Sequence, residues 1–338
     1  MTQTPRTVYL DLAKTIGIVL VVIGHTRFYG DPLWAEQARN YIYTFHMPLF
    51  LFISGMVYSR YSHSDNYRDF ISKKSIRLIV PYLTVSILLI CIKLTTDANM
   101  ETFTPVSHRS FIHMFYKPEA GYFLWFIYTL WILFLLIPAF KSRRARIYLL
   151  GLSFILMCIP CRLPDVFCLN QLKNLSFYFI LGCVATDYLG TFEIILSKKK
   201  LGTALFLITS IIFVLFTDTI AGKIAECAMP FLGTLWVLQS SHYFEQHVFS
   251  KSQPAFIILA SSSVFFIYLF HTLFMGLQFH ILKQLNFNSS ILLITLGNIS
   301  MIAIGFIGPI GIYWFMTKHP SRINLLLGIP TYKKGVLN

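Results

Sequence analysis

Three residues near the amino terminus, Asp11, Lys14 and His25, sit at or within the first apolar stretch of the chain, residues 12–29. An ionisable side chain near the centre of a bilayer costs roughly 2.5–3.5 kcal/mol on insertion scales, so such residues point first to function. Asp11 and Lys14 are spaced i, i+3 and can neutralise each other on a helix. Lys14 is also close enough to the inner boundary for its ammonium to snorkel to the headgroups. His25 follows Lys14 by roughly three helical turns plus 20°, which puts both on one face roughly 16–17 Å apart along the axis. Asp11 falls about 40° to the other side of His25. One face thus carries acid, base and imidazole from the inner boundary to the outer half of the membrane. Lipid does not solvate such a stripe, so it must face the interior of a helix bundle.

Two more histidines share that depth. The run Phe45-His46-Met47-Pro48-Leu49-Phe50-Leu51-Phe52-Ile53-Ser54-Gly55 contains a proline that lacks the amide to bond the Thr44 carbonyl, which kinks the helix beside His46. Counting back from Arg60 puts His46 about 21 Å from the inner end. In the ninth apolar segment, His271 follows Ala255 by about 24 Å of helix. An intramembrane histidine also serves as a helix–helix hydrogen-bonding residue. Three at one depth, one of them on a charged stripe, favour a site. No carboxylate or cysteine accompanies them at ligand spacing, and no metal is expected.

The elements that position these residues follow from hydropathy. Of 338 residues 56% are hydrophobic and only 12% charged, with 32 Phe and 18 Tyr, and the mean hydropathy is +0.65. A soluble domain is nearer 45–50% apolar and about 25% charged, so soluble, disordered and fibrous classes are excluded. The apolar segments are about 12–29, 41–59, 78–96, 122–140, 147–160, 174–190, 201–218, 225–243, 255–283 and 289–316, with 147–160 the weakest. The expectation is an all-α membrane protein of about ten transmembrane helices in a single domain, 1–338. The first segment has no small-residue cleavage site and is not expected to be a removable signal.

Net charge is +14, which in a soluble chain would raise nucleic-acid binding. Here the basic residues report topology instead. With the amino terminus inside, 18 Lys and Arg fall on the cytoplasmic side, in Arg6, Arg60–Arg77, Lys141–Arg146, Lys198–Lys200, Lys251 and the tail from Lys318. Eight fall on the other side: Arg27, Arg39, Arg109, Lys117, Arg162, Lys173, Lys223 and Lys283. An even helix count with both termini cytoplasmic satisfies the positive-inside rule, and an odd count breaks it. Most of the charge therefore names no partner, and no nucleic acid is expected. Arg77 stands apart, because it lies at a helix mouth where a guanidinium can hold a phosphate bidentately. Cys158, Cys161 and Cys168 surround one segment end without a second ligand cluster, which leaves a disulfide open and a metal disfavoured. Trp125, beside Gly121 and Tyr122, lies near the outer interface, where tryptophan anchors helices. No internal repeat of 20–50 residues is visible, which weighs against inverted-repeat transporters.

The stretch from Tyr9 to Thr26, with Lys14 and His25 separated by ten residues, resembles the opening of acyltransferase family three, multi-pass membrane O-acyltransferases that modify extracytoplasmic sugars. Phe45–Gly55 is similar to the family's second-helix signature, and Arg77-x3-Pro81-Tyr82 to its third-helix entry. Leu124-Trp125-Phe126 and Tyr268-Leu269-Phe270-His271 resemble later signatures. The family's usual basic residue is arginine, whereas position 14 is lysine; the Asp-x2-Lys form resembles the fucose 4-O-acetylase subgroup. An ammonium cannot reproduce a bidentate fork, so contacts of arginine-bearing members do not carry over to Lys14.

The resemblance implies an acyl-CoA donor, acetyl-CoA most often, taken from the cytoplasm, and a hydroxyl acceptor on a sugar or glycan, free or lipid-linked, across the inner (cytoplasmic) membrane. His25 is then the expected general base, since imidazole titrates near neutral pH. Transient acylation of His25 stays open. Asp11 and Lys14 would position the helix and the donor, Arg77 would hold a phosphate, and His46, Ser54, Trp125 and His271 would contact the acceptor or the thioester. A carrier or flippase for a lipid-linked sugar, and a non-catalytic membrane sensor, are the competing readings.

Overall fold

The computed structural model describes residues 7–26, 32–61, 66–96, 105–121, 123–249, 254–287 and 289–329. Arg6, Arg27, Lys251, Lys333 and Lys334 of the charge pattern, and Tyr122, lie outside the described residues. Fourteen α-helices are found among those described, and no strand. They are α1 (Val8–His25), α2 (Leu33–Tyr43), α3 (His46–Tyr61), α4 (Tyr67–Thr96), α5 (Ser110–His113), α6 (Trp125–Leu136), α7 (Arg143–Cys158), α8 (Leu169–Asp187), α9 (Leu189–Ser197), α10 (Lys199–Leu215), α11 (Ile220–His247), α12 (Ala255–Gln284), α13 (Ile291–Lys318) and α14 (Ile323–Leu326).

The chain is an all-α membrane protein. Six of its described helical stretches are long and apolar enough to cross a bilayer: Val8–His25, Leu33–Arg60, Tyr67–Thr96, Ile220–His247, Ala255–Gln284 and Ile291–Lys318. A seventh is added if α8 and α9, bent by 102° at their junction, form one broken span. The apolar surface has nowhere else to go. On α10, Leu201, Leu205, Ile208, Ile211 and Leu215 all face outward at helical spacing, a stripe suited to acyl chains.

The chain divides into two compact units, Met1–Met56 with Ala185–Ile310, and Val57–Val184 with Gly311–Asn338. In the first, α1 packs on α2, α11 and α12, and α10 packs on α11. Small residues allow the approach: Gly17 of α1 lies under the Phe50 ring, and Gly233 of α11 lies against Phe45. Phe45 also meets Phe206 of α10 edge-on at 6.0 Å, and Phe206 stacks on Trp236 of α11 at 4.7 Å.

The second unit is held by a different device. Tyr58, Phe70, Phe134 and Phe179 form an aromatic cluster with ring centroids 5.6–6.0 Å apart. Lys74 lays its ammonium over Phe134 at 4.3 Å. The buried Arg146 donates from Nη1 to Ser59 at 2.7 Å and from Nε to the Phe140 carbonyl at 3.2 Å. The three cysteines singled out by spacing are free thiols, Cys158 and Cys161 exposed and Cys168 buried.

Candidate active site

A helix end exposes carbonyls that have no intrahelical donor, and the end of α1 satisfies them with side chains. The Thr26 hydroxyl donates to Val22 O and the Thr26 amide to Ile23 O. The Tyr43 hydroxyl donates to Gly24 O, and Arg39 Nη1 to Thr26 O at 3.1 Å. His25, the last residue of α1, turns Nδ1 back onto Val21 O at 2.8 Å. The chain between α2 and α3 breaks at Thr44–Phe45, immediately upstream of Pro48. There the Ile42 carbonyl accepts both the Phe45 amide, at 3.3 Å, and His46 Nδ1, at 2.9 Å. On α12, His271 Nδ1 lies 2.8 Å from Tyr268 O and 3.1 Å from Ile267 O.

A carbonyl oxygen only accepts, so in all three histidines Nδ1 carries the hydrogen. Each neutral ring then presents Nε2 as a lone pair. The rings are neighbours: His25 meets His271 edge-on with centroids 5.0 Å apart. Tyr43 lies between His25 and His46, 6.0 Å from the first and 5.3 Å from the second. The shared depth expected from spacing is thus a shared cluster, in which His46 and His271 are fully buried and His25 is half-buried. Tyr43 and Arg39 were not among the residues picked out by sequence. Their spacing to His46, i−3 and i−7, was the available signal.

At the opposite end of α1, Lys14 Nζ lies 3.4 Å from Asp11 Oδ1, with Asp11 buried and Lys14 half-buried. Glu245 of α11 accepts the Tyr9 amide at 3.3 Å, an acid at the positive end of the α1 dipole. His242 lies 3.7 Å from Glu245 and packs edge-on against Tyr9. Ser54, eight residues after His46, is half-buried about 12 Å further along the helix axis. The structure therefore gathers His25, His46 and His271, and separately Asp11 and Lys14, within the first unit. Arg77 and Trp125 belong to the second unit. Arg77 is exposed on α4, and Trp125 is the half-buried first residue of α6, its carbonyl accepting the Cys168 thiol. Among the described residues no group of three or more His, Cys, Asp or Glu could hold a metal ion.

A family model described as an acyltransferase domain matches residues 7–318, a span that includes every residue just named. The chain belongs to this acyltransferase family. Two curated relatives are rhizobial. The nodulation protein NolL of Mesorhizobium japonicum is 29% identical over 156 residues, 44% of this chain and 40% of that protein. The nodulation protein NolL of Sinorhizobium fredii is 34% identical over 83 residues, 23% of each chain. The matched part of this acyltransferase-family chain thus spans less than half the length of either relative. No solved structure matches the chain.

Proposed function

We propose that the protein is a membrane O-acyltransferase, acting as one membrane domain in the inner membrane with both termini cytoplasmic. It moves an acyl group, acetyl by preference, from cytoplasmic acyl-CoA to a hydroxyl of an extracytoplasmic or lipid-linked sugar. The observation that carries this reading is the His25 imidazole, fixed by Val21 O so that Nε2 is the basic nitrogen, in a cluster at the far end of the helix from Asp11 and Lys14. A base at one depth and a charged pair roughly 16 Å away suit a donor that enters from one side and an acceptor from the other.

In this reading His25 Nε2 takes the proton of the sugar hydroxyl as its oxygen attacks the thioester carbonyl carbon. The C–S bond of the tetrahedral intermediate then breaks. The CoA thiolate leaves with the proton that Nε2 now carries, and the ester and free CoA are the products. His46 and His271, with their Nδ1 hydrogens committed to backbone carbonyls, offer acceptors and not donors while neutral. They suit the acceptor hydroxyl, rather than the thioester oxygen. Asp11 and Lys14 hold the helix and the donor, and Ser54 the flank of the substrates.

The test is CoA release from acetyl-CoA by protein in lipid nanodiscs, together with mass spectrometry of surface glycans from cells with and without the gene. His25→Ala is expected to abolish both CoA release and the one-acyl mass difference. Retention of either by a folded His25→Ala protein removes the base assignment. Sugar translocation without CoA release would favour a carrier.

A further inference from the structure

The second unit carries a second polar constellation, on segments that are not themselves part of a helix long enough to cross a membrane. Glu119 Oε1 accepts from the buried Ser110 hydroxyl at 2.6 Å and from His113 Nδ1 at 2.9 Å. The Ser110 oxygen in turn accepts the Ser107 amide at 3.1 Å. The carboxylate therefore holds the hydrogen on Nδ1 and leaves Nε2 of a one-third exposed imidazole outside that bond, where it can meet a hydroxyl.

The backbone beneath this dyad is pinned residue by residue. The carbonyls of Met114, Phe115 and Tyr116 are taken in turn by Tyr82 Oη at 2.6 Å, Tyr128 Oη at 2.7 Å and the Phe167 amide at 2.6 Å. Lys117 and Asp165 join the same two segments by an ion pair of 3.0 Å, and the Tyr116 and Phe167 rings lie 6.5 Å apart. Irregular segments at a protein surface are ordinarily the mobile part of a fold; this one is built to hold a shape. Phe167 shows the same investment. It sits at φ +51°, a left-handed conformation unfavourable for a bulky side chain, and yet the residue is 49% exposed.

We infer that His113, Glu119, Tyr116 and Phe167 form a saccharide-contact subsite of the second unit. A pyranose offers the two matching chemistries, hydroxyls for Nε2 and a C–H face for the negative face of an aromatic ring. A lipid acyl chain uses only the second. The charge pattern puts both segments on the side opposite the amino terminus, where the acceptor of the proposed reaction resides. The inference rests on that reading for its biological sense, though not for its geometry.

Saturation-transfer NMR on the full chain in nanodiscs tests it, with methyl glycosides of glucose, galactose and glucuronic acid as probes and glycerol phosphate as the headgroup control. Saturation transfer to the ring protons of at least one glycoside is expected, with none to glycerol phosphate. Phe167→Asn is the decisive variant, because asparagine accepts the left-handed backbone while the aromatic face is lost. It and His113→Phe, which keeps a ring but removes Nε2, should weaken the signal by roughly three- to tenfold. His25→Ala should end CoA release, and Phe167→Asn should still weaken the glycoside signal in that background. No glycoside signal, an undiminished signal in Phe167→Asn, or transfer to glycerol phosphate instead would each overturn the subsite. CoA release without glycoside binding would sink the subsite alone. Glycoside binding sensitive to Phe167, without CoA release, would sink the acyltransferase reading alone.

Discussion

Replacing Tyr43 with phenylalanine removes one oxygen atom and leaves the ring between His25 and His46. That oxygen bonds the Gly24 carbonyl, one of the α1 terminal carbonyls without a helical donor. The net loss of such a bond is about 1 kcal/mol, rising toward about 3 kcal/mol if the buried carbonyl stays dry. Stability should fall by that amount, visible as a lower melting temperature in detergent. The larger consequence is positional. His25 directly follows Gly24 and ends the helix, so releasing this carbonyl frees the turn that aims Nε2. A displacement near 1 Å at a catalytic group costs on the order of 100-fold, and a loss of about 10- to 100-fold in kcat is expected.

The loss should be confined to one end of the helix. Ile18, Val21 and Val22 are fully buried and hold the body of α1 in place. Lys14 lies roughly 16 Å from His25 along the axis, so the KM for acetyl-CoA should not change. The assay is CoA release at saturating glycan, with acetyl-CoA titrated. Wild-type kcat in Tyr43→Phe would refute the idea that the terminal carbonyls orient the base. A raised KM for acetyl-CoA at unchanged kcat would show that the donor, and not the proton acceptor, sits beside Tyr43.

Other perturbations reach different parts of the same reasoning. A double-mutant cycle of Asp11→Asn and Lys14→Gln should give a coupling of about 1 kcal/mol in thermal stability. Gly233→Ala would drive a new methyl into Phe45 Cγ and to 2.7 Å from its Cβ, atoms rooted to the backbone beside His46. It should cost about 1–3 kcal/mol and reduce activity, whereas Gly305→Ala, which meets the flexible Met275 thioether, should cost less on the same melting curve. Arg146→Met should destabilise the second unit measurably, by about 1–3 kcal/mol, because the Ser59 oxygen and the Phe140 carbonyl lose the donor that Arg146 supplies. Finally, a membrane-impermeant maleimide should label the exposed Cys161 in intact cells with permeabilised outer membranes. Labelling only after lysis would reverse the topology read from charge.

What was legible in the sequence divides along physical lines. The depth of His25, His46 and His271 follows from a fixed rise per residue, and the structure brings those three rings together. The Asp11–Lys14 pair follows from i, i+3 spacing in the same way. Span number is harder, because α6, α7 and α10, at 12, 16 and 17 residues, fall short of a full crossing. Their flanks extend the apolar windows without extending the helices. Least legible was what lies around each imidazole. Which carbonyls are left without donors depends on where helices stop, and α2 stops at Tyr43, three residues before His46, rather than at Pro48. Tyr43 therefore could not be told from the other 17 tyrosines by composition or hydropathy.

The same detail bears on the chemistry. From the sequence, His25 is the expected base, and His46 and His271 are left to contact either the acceptor or the thioester oxygen. With every Nδ1 hydrogen held by a backbone carbonyl, none of the three donates from Nε2 while neutral. The one that gains a proton during the reaction is the base itself, which must return it to the thiolate. Stabilisation of the tetrahedral oxyanion in the proposed mechanism must therefore come from a donor outside this cluster. If His46→Phe and His271→Phe, which keep a ring but remove Nε2, retain wild-type kcat, the rings serve the acceptor hydroxyl only through packing. If the phenylalanines fall as far as His46→Ala and His271→Ala, the Nε2 lone pairs are what the hydroxyl requires.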